Sequence, residues 1–214
     1  MIFDQQAAVK TAKYLLQINA IKLSPENPFV WASGWKSPIY CDNRITLSYP
    51  VIRNYISDQL TLQIKSIYQN EKIIIAGVAT GAIGIGMLVA QKLNLPFVYV
   101  RPEQKKHGKK NQIEGYLPPN SKVVVIEDLI STGKSSLIAV EAIKNEGYDV
   151  LGMLGVFTYG FKIADDNFKK NKIKLNTLSN YDTLISEALS QNIIELDSLT
   201  KLTEWKNSPN SWRV

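Results

Sequence analysis

Residues 122–136 read Lys-Val-Val-Val-Ile-Glu-Asp-Leu-Ile-Ser-Thr-Gly-Lys-Ser-Ser, and they constrain the fold more tightly than any other stretch of the chain. The four aliphatics Val123 to Ile126 are too few for a helix and fit a strand buried on both faces. Glu127 and Asp128 stand where that run stops, a small-residue loop follows, and 135–146 reads as a helix. A loop of this kind at a helix N-terminus offers backbone N–H groups to a phosphate dianion. The two acids can accept hydrogen bonds from sugar hydroxyls or hold a hydrated Mg²⁺. Neighbours in a strand point to opposite sides, so both acids face one sugar only if the chain turns here.

Two other phosphate-binding motifs fail. Gly133-Lys134-Ser135 copies the end of a Walker A loop, but Asp128 stands where that loop needs glycine. Gly84-Ile85-Gly86 begins a dinucleotide fingerprint, yet its third glycine position holds Val89.

The rest of the chain supplies an α/β framework. Asp4 caps a first helix running to about residue 20, with Ala8, Ala12, Leu15 and Leu16 as its apolar stripe. Residues 25–43 are rich in Trp, Pro and Gly, and read as two short strands about a Ser33-Gly34 turn, outside the main sheet. Pro50 opens a helix to about 66; 72–78 is a second buried strand, ending in a Gly-rich turn at 78–81. A helix over 83–93 and a strand over 97–101 follow. The segment 102–116 is a long polar loop without periodic apolar residues, of a kind that carries function. A strand over 150–158, a short helix near Asp165, a strand over 174–178, a helix over 181–191 and a last helical turn over 199–205 complete the order. This alternation predicts a mostly parallel, doubly wound sheet with helices on both faces, a small N-terminal hood (about 20–45) and ligands at the strands' carboxyl ends. No linker divides the 214 residues, so 1–214 is read as one domain.

Composition narrows the function classes. The net charge of +6 is dispersed apart from Lys105, Lys106, Lys109 and Lys110, which argues against nucleic acid as partner. The one cysteine, Cys41, excludes an internal disulfide and a multi-cysteine metal site, and reads as a small buried hydrophobe. No apolar run reaches membrane-spanning length, and the expected location is the cytoplasm.

Hydrophobic strand, Glu-Asp, two aliphatics and Ser-Thr-Gly-Lys-Ser together resemble the signature of type I phosphoribosyltransferases, which bind phosphoribosyl pyrophosphate (PRPP). Two further motifs narrow the likeness: Phe-Val-Trp-Ala-Ser-Gly-Trp-Lys-Ser-Pro-Ile-Tyr-Cys-Asp-Asn-Arg over 29–44, and Arg101-x-x-x-Lys105-x-His107-Gly108. In this order, over about 29–158, they are similar to the orotate phosphoribosyltransferases. The resemblance implies transfer of the phosphoribosyl group from PRPP to orotate in pyrimidine synthesis. It also implies Mg²⁺ as cofactor and a homodimer in which a mobile catalytic loop, here 102–116, reaches the neighbouring site. Carried onto this chain, it implies Lys105, His107 and Asp128 as catalytic. PRPP contacts would come from Arg101, Lys105, His107, Glu127, Asp128, Leu129, Ile130, Ser131, Thr132, Gly133, Lys134 and Ser135, and Ser131 would also touch orotate.

The chain departs from parts of that family. Ala32 stands where many members carry lysine before the hood's Ser-Gly, and Pro102 follows Arg101 where some have a second basic residue. Some members carry lysine in the turn at Gly81, and others an arginine after the strand that here ends in Thr158-Tyr159-Gly160. The orotate carboxylate still calls for a cation, and Arg44 is the candidate, with Lys36 next. The bland alternative is that Arg44 pairs with Asp42 on the surface. A same-fold enzyme acting on a purine base and a PRPP-sensing regulator that binds nucleic acid are the rival readings.

Overall fold

The computed structural model describes residues 2–31, 33–69, 71–103 and 112–212. Helix α1 (Gln5–Gln17) starts at Asp4, whose carboxylate accepts the Ala7 N–H at 2.7 Å, the expected cap. The hood holds two strand pairs rather than one. β1 (Ile21–Leu23) pairs antiparallel with β4 (Ile39–Cys41), and between them β2 (Phe29–Val30) pairs with β3 (Lys36–Ser37). Gly34, at φ +83°, turns the β2–β3 hairpin through a left-handed conformation that only glycine adopts freely. A 3₁₀ turn (Asn43–Ser48) then leads into α2 (Pro50–Ile67), which has proline at its start.

Among the described residues the main sheet has six strands: β5 (Ile73–Val78), β6 (Phe97–Val100), β7 (Ile113–Glu114), β8 (Lys122–Ile130), β9 (Asp149–Thr158) and β10 (Leu175–Asn180). Their order is β10-β9-β8-β5-β6-β7, parallel except for β7. Strand β7 lies inside the expected 102–116 loop; two residues among polar neighbours carry no period, so only pairing with β6 reveals them. Helices α3 (Ala82–Leu93), α4 (Lys134–Asn145), α5 (Lys162–Lys170), α6 (Tyr181–Ser190) and α7 (Ser198–Asn207) complete the chain. α7 is a full ten-residue helix where one turn was expected, anchored by Trp205, which is fully buried.

Alternate residues of β8 feed two cores. Val124 and Ile126 join Ile75 and the helices α1, α2, α3 and α6, whereas Val123 and Val125 join Ile74, Ala76 and the helices α4 and α5. Burying a strand on both faces is what its unbroken aliphatic run requires. Sequence order reverses between β5 and β8, so the turn after β5 and the loop after β8 emerge side by side at the carboxyl edge, where doubly wound sheets bind ligands.

Candidate active site

At that edge a cavity of about 390 Å³ is walled by the 78–81 turn, the acids of β8, the 131–135 loop and the hood's Cys41, Asp42 and Arg44. Gly133, at φ +76°, precedes α4 directly; a Cβ there would press into the Phe168 ring at 2.7 Å. Glycine is therefore required by both conformation and space, and it brings the first-turn N–H groups of α4 to the cavity without intrahelical partners.

The acids do not sit on a turn. β8 continues through them, with Glu127 opposite Gly155 and Ile130 opposite Thr158 of β9. They consequently point to opposite faces, contrary to the chain turn expected from the sequence. Glu127 is 4% exposed; its carboxylate accepts from Ser136 Oγ at 2.8 Å and from the Asp128 N–H at 3.0 Å. Burial, then the Asp128 charge, push its pKa well above the ordinary carboxylate range, and the Ser136 bond partly opposes them. Asp128 faces the other way, towards the first residues of α3, and both acids line the cavity.

Gly81 makes room for Asp128. A Cβ at 81 would run into the Asp128 carboxylate. The Ala79–Thr80 peptide beside it is cis. Since the obstructing atoms end a side chain, Gly81→Ala should leave the melting temperature nearly unchanged while the carboxylate is pushed aside. If PRPP is the substrate, as the sequence resemblance implies, the expected result is a several-fold higher KM for it; an unchanged KM would mean that the placement of Asp128 is immaterial.

Asn43 ties the hood to β8. Its side chain is buried, with Nδ2 donating to the Asp128 carbonyl at 2.6 Å and Oδ1 accepting from Cys41 Sγ at 3.3 Å. Cys41 is half-buried at the cavity wall rather than in the core, and burial raises its thiol pKa well above the ordinary value. A protonated thiol of that kind is no nucleophile at neutral pH.

Of the expected site residues, Arg44, Glu127, Asp128, Leu129, Ser131, Thr132, Gly133 and Ser135 line this cavity. Ile130 buries its side chain fully in the core. Lys134 is exposed at the first position of α4, and Lys36 is exposed on β3 with its carbonyl accepting Trp205 Nε1–H at 3.1 Å. Arg101 stands outside the cavity wall, with Nη1 3.4 Å from Glu114 Oε1. Arg44 chelates Asp42, Nε to Oδ1 at 2.7 Å and Nη2 to Oδ2 at 2.8 Å, the bland pairing foreseen for it, although it also borders the cavity. That bond is the main reason the Asp42 pKa is lowered and the Arg44 pKa raised. Lys105 and His107 lie outside the described residues, as does Ala32.

A second cavity, of about 360 Å³, adjoins the first along Cys41, Leu129 and Ser131. Its other walls are Val30, Trp31, Tyr40 and Tyr159. The Trp-rich composition of the hood was visible in the sequence, but the joining of Trp31 to Tyr159, 128 positions on, was not. The hint in the sequence was an aromatic alternation, Phe157, Tyr159 and Phe161, running across the end of a strand.

Comparison with known proteins fits this geometry. The model of the phosphoribosyl transferase domain matches residues 53–180. The orotate phosphoribosyltransferase of Cytophaga hutchinsonii is 54% identical over 204 residues, covering 95% of this chain and 97% of its own. That of Enterococcus faecalis is 51% identical, covering 97% of this chain and 98% of its own. Among solved structures, the orotate phosphoribosyltransferase from Aeropyrum pernix superposes with a TM-score of 0.72 at 30% identity, covering 82% of this chain and 96% of its own. With a phosphate loop at the sheet's switch point and likeness of this extent, the chain belongs to the phosphoribosyltransferase family, among the orotate phosphoribosyltransferases.

Proposed function

We propose that this chain, as one phosphoribosyltransferase domain over 1–214, transfers the 5-phosphoribosyl group of PRPP to orotate, giving orotidine 5′-monophosphate and pyrophosphate. The observation that carries the reading is the pair of joined cavities, one polar and phosphate-ready, the other walled by aromatic rings, meeting at Cys41, Leu129 and Ser131. PRPP occupies the first cavity, with its 5′-phosphate against the 131–135 loop and α4. Orotate stacks in the second. A bond forms between an orotate ring nitrogen and the anomeric carbon while the carbon–oxygen bond to pyrophosphate breaks, and the nitrogen's proton is released. Positive charge grows on the sugar and negative charge on the leaving group, so the protein's task is to place charges for both.

Asp128 meets the ribose hydroxyls from α3's side. Glu127 lies deeper, held by Ser136, and steadies the strand beneath them. Among the described residues no group of three or more His, Cys, Asp or Glu could hold a metal by itself. One carboxylate plus substrate oxygens suits Mg²⁺, which keeps much of its water and binds with phosphates. The ion would therefore come with PRPP, with Asp128 as its protein neighbour, and would neutralise pyrophosphate charge. Arg101, Lys105 and His107 complete the neutralisation in this reading. The active form is a cytoplasmic homodimer whose 102–116 segment serves the partner's site. Among the described residues no helix is long and apolar enough to cross a membrane.

Orotate absorbance followed with PRPP and Mg²⁺, against hypoxanthine and adenine as controls, tests the activity. Consumption of a purine instead of orotate would overturn it.

Arg44 is the reader of the orotate carboxylate in this proposal. Asp42 grips its guanidinium at two points and so fixes its plane at the cavity rim. Arg44 borders the first cavity and would reach orotate across the shared wall at Cys41, so Arg44→Ala should raise the orotate KM about tenfold or more, well beyond any rise in the KM for PRPP. Equal losses for both substrates would mean that Arg44 supports the hood, with Lys36 the next candidate.

A further inference from the structure

Tyr159 directly follows β9 and is 2% exposed. Its ring is boxed in by Trp31, Phe157, Phe161 and Trp205, with centroids 5.1 to 5.7 Å away. Its backbone N–H donates to the Ile130 carbonyl at 3.1 Å, which pins it to the end of β8. Neighbours on this many sides hold the ring in place. Tyr181, equally buried, donates its hydroxyl to the Leu202 carbonyl at 3.1 Å. The Tyr159 hydroxyl, by contrast, makes no hydrogen bond among the described residues. Its oxygen is not among the buried side-chain atoms left without a partner, so the ring is enclosed while the hydroxyl reaches open space.

The cavity explains it. Tyr159 lines the 360 Å³ space together with Trp31, Tyr40, Cys41 and Ser131. Burial pushes its hydroxyl pKa well above the ordinary value, with Cys41, Tyr181 and Tyr40 adding to the rise. The group is thus a neutral, protonated donor at physiological pH. We infer that Tyr159 Oη–H donates a hydrogen bond to the planar acceptor in this cavity and so selects heterocycles that present a carbonyl or carboxylate oxygen there. This inference rests on the cavity being the acceptor site. A ligand that fills the cavity cuts this donor off from water, so a heterocycle lacking the matching acceptor leaves it unsatisfied and binds less well.

Tyr159→Phe removes one oxygen and keeps the ring among its four aromatic neighbours. The orotate KM should rise about tenfold, matched by weaker orotate binding in calorimetry, while the PRPP KM and the melting temperature stay put. An unchanged orotate KM overturns the inference, and so does an equal rise for both substrates with a lowered melting temperature. Cys41→Phe, which fills the shared wall of the cavity, separates this claim from the one beneath it. If Cys41→Phe leaves orotate binding intact, the cavity is not the acceptor site. Orotate binding blocked by Cys41→Phe but untouched by Tyr159→Phe removes only the role of the hydroxyl.

Discussion

Lys105→Ala should lower kcat by on the order of a hundredfold or more, with the melting temperature unmoved. Lys105 lies outside the described residues, so the expectation stands on sequence and chemistry. Its neighbours Gln104, Lys106, His107 and Gly108 are polar or small, and truncating a side chain in such a setting removes little apolar packing. What disappears, in the proposed mechanism, is a cation that would meet charge developing on pyrophosphate as the anomeric bond breaks. An interaction gained only as that charge develops lowers kcat when lost, with modest effect on either KM. Steady-state kinetics with both substrates varied, beside a melting curve, decides the matter. Near-normal turnover, or a variant that unfolds, removes Lys105 from the mechanism.

Asp128→Asn is expected to cut kcat/KM for PRPP by roughly ten- to a hundredfold, the range for losing a charge-assisted hydrogen bond to a ligand. Shape is preserved, and the backbone at 128 remains tied to Asn43 through its carbonyl, so the β8 strand has no cause to move. The substitution removes the charge that ribose hydroxyls and Mg²⁺ would meet. Stability should therefore be close to that of the parent, and the required Mg²⁺ concentration should increase. A PRPP-bound structure with the ribose away from Asp128, or kinetics indifferent to the change, would refute the role.

Both expectations begin with residues legible in the chain. The 122–136 run announced itself as strand, acids, small loop and helix because each piece carries its own local signal. These signals are an aliphatic run bounded by carboxylates, a glycine whose positive φ the loop needs, and a helix that begins immediately after it. The Pro50 start and the Asp4 cap were readable for the same reason, since a cap or first-turn proline acts within a few residues of itself. Strands alternating with helices then left a parallel, doubly wound sheet as the economical topology.

Strand ends and side-chain partners were decided elsewhere. β8 runs on through Glu127, Asp128 and Leu129 because β9 offers a hydrogen-bonding edge as far as Thr158, and no local pattern in 127–130 records the length of a neighbour. That extension sends the two acids to opposite faces, one to Ser136 and the other to Gly81. β7 exists only as a partner of β6. Arg44 had two suitors on paper, a carboxylate two residues away and a substrate. Folding alone gives it the first, and the position of Asp42 leaves it on the wall of the 390 Å³ cavity. The aromatic cavity is wholly tertiary. Trp31 and Tyr159 meet because the hood folds over the end of β9, while Trp205 from the last helix closes the cluster behind them. Local periodicity fixes which way a residue faces within its own element, but a cavity needs walls from several elements, and their approach is set by burial of the whole chain.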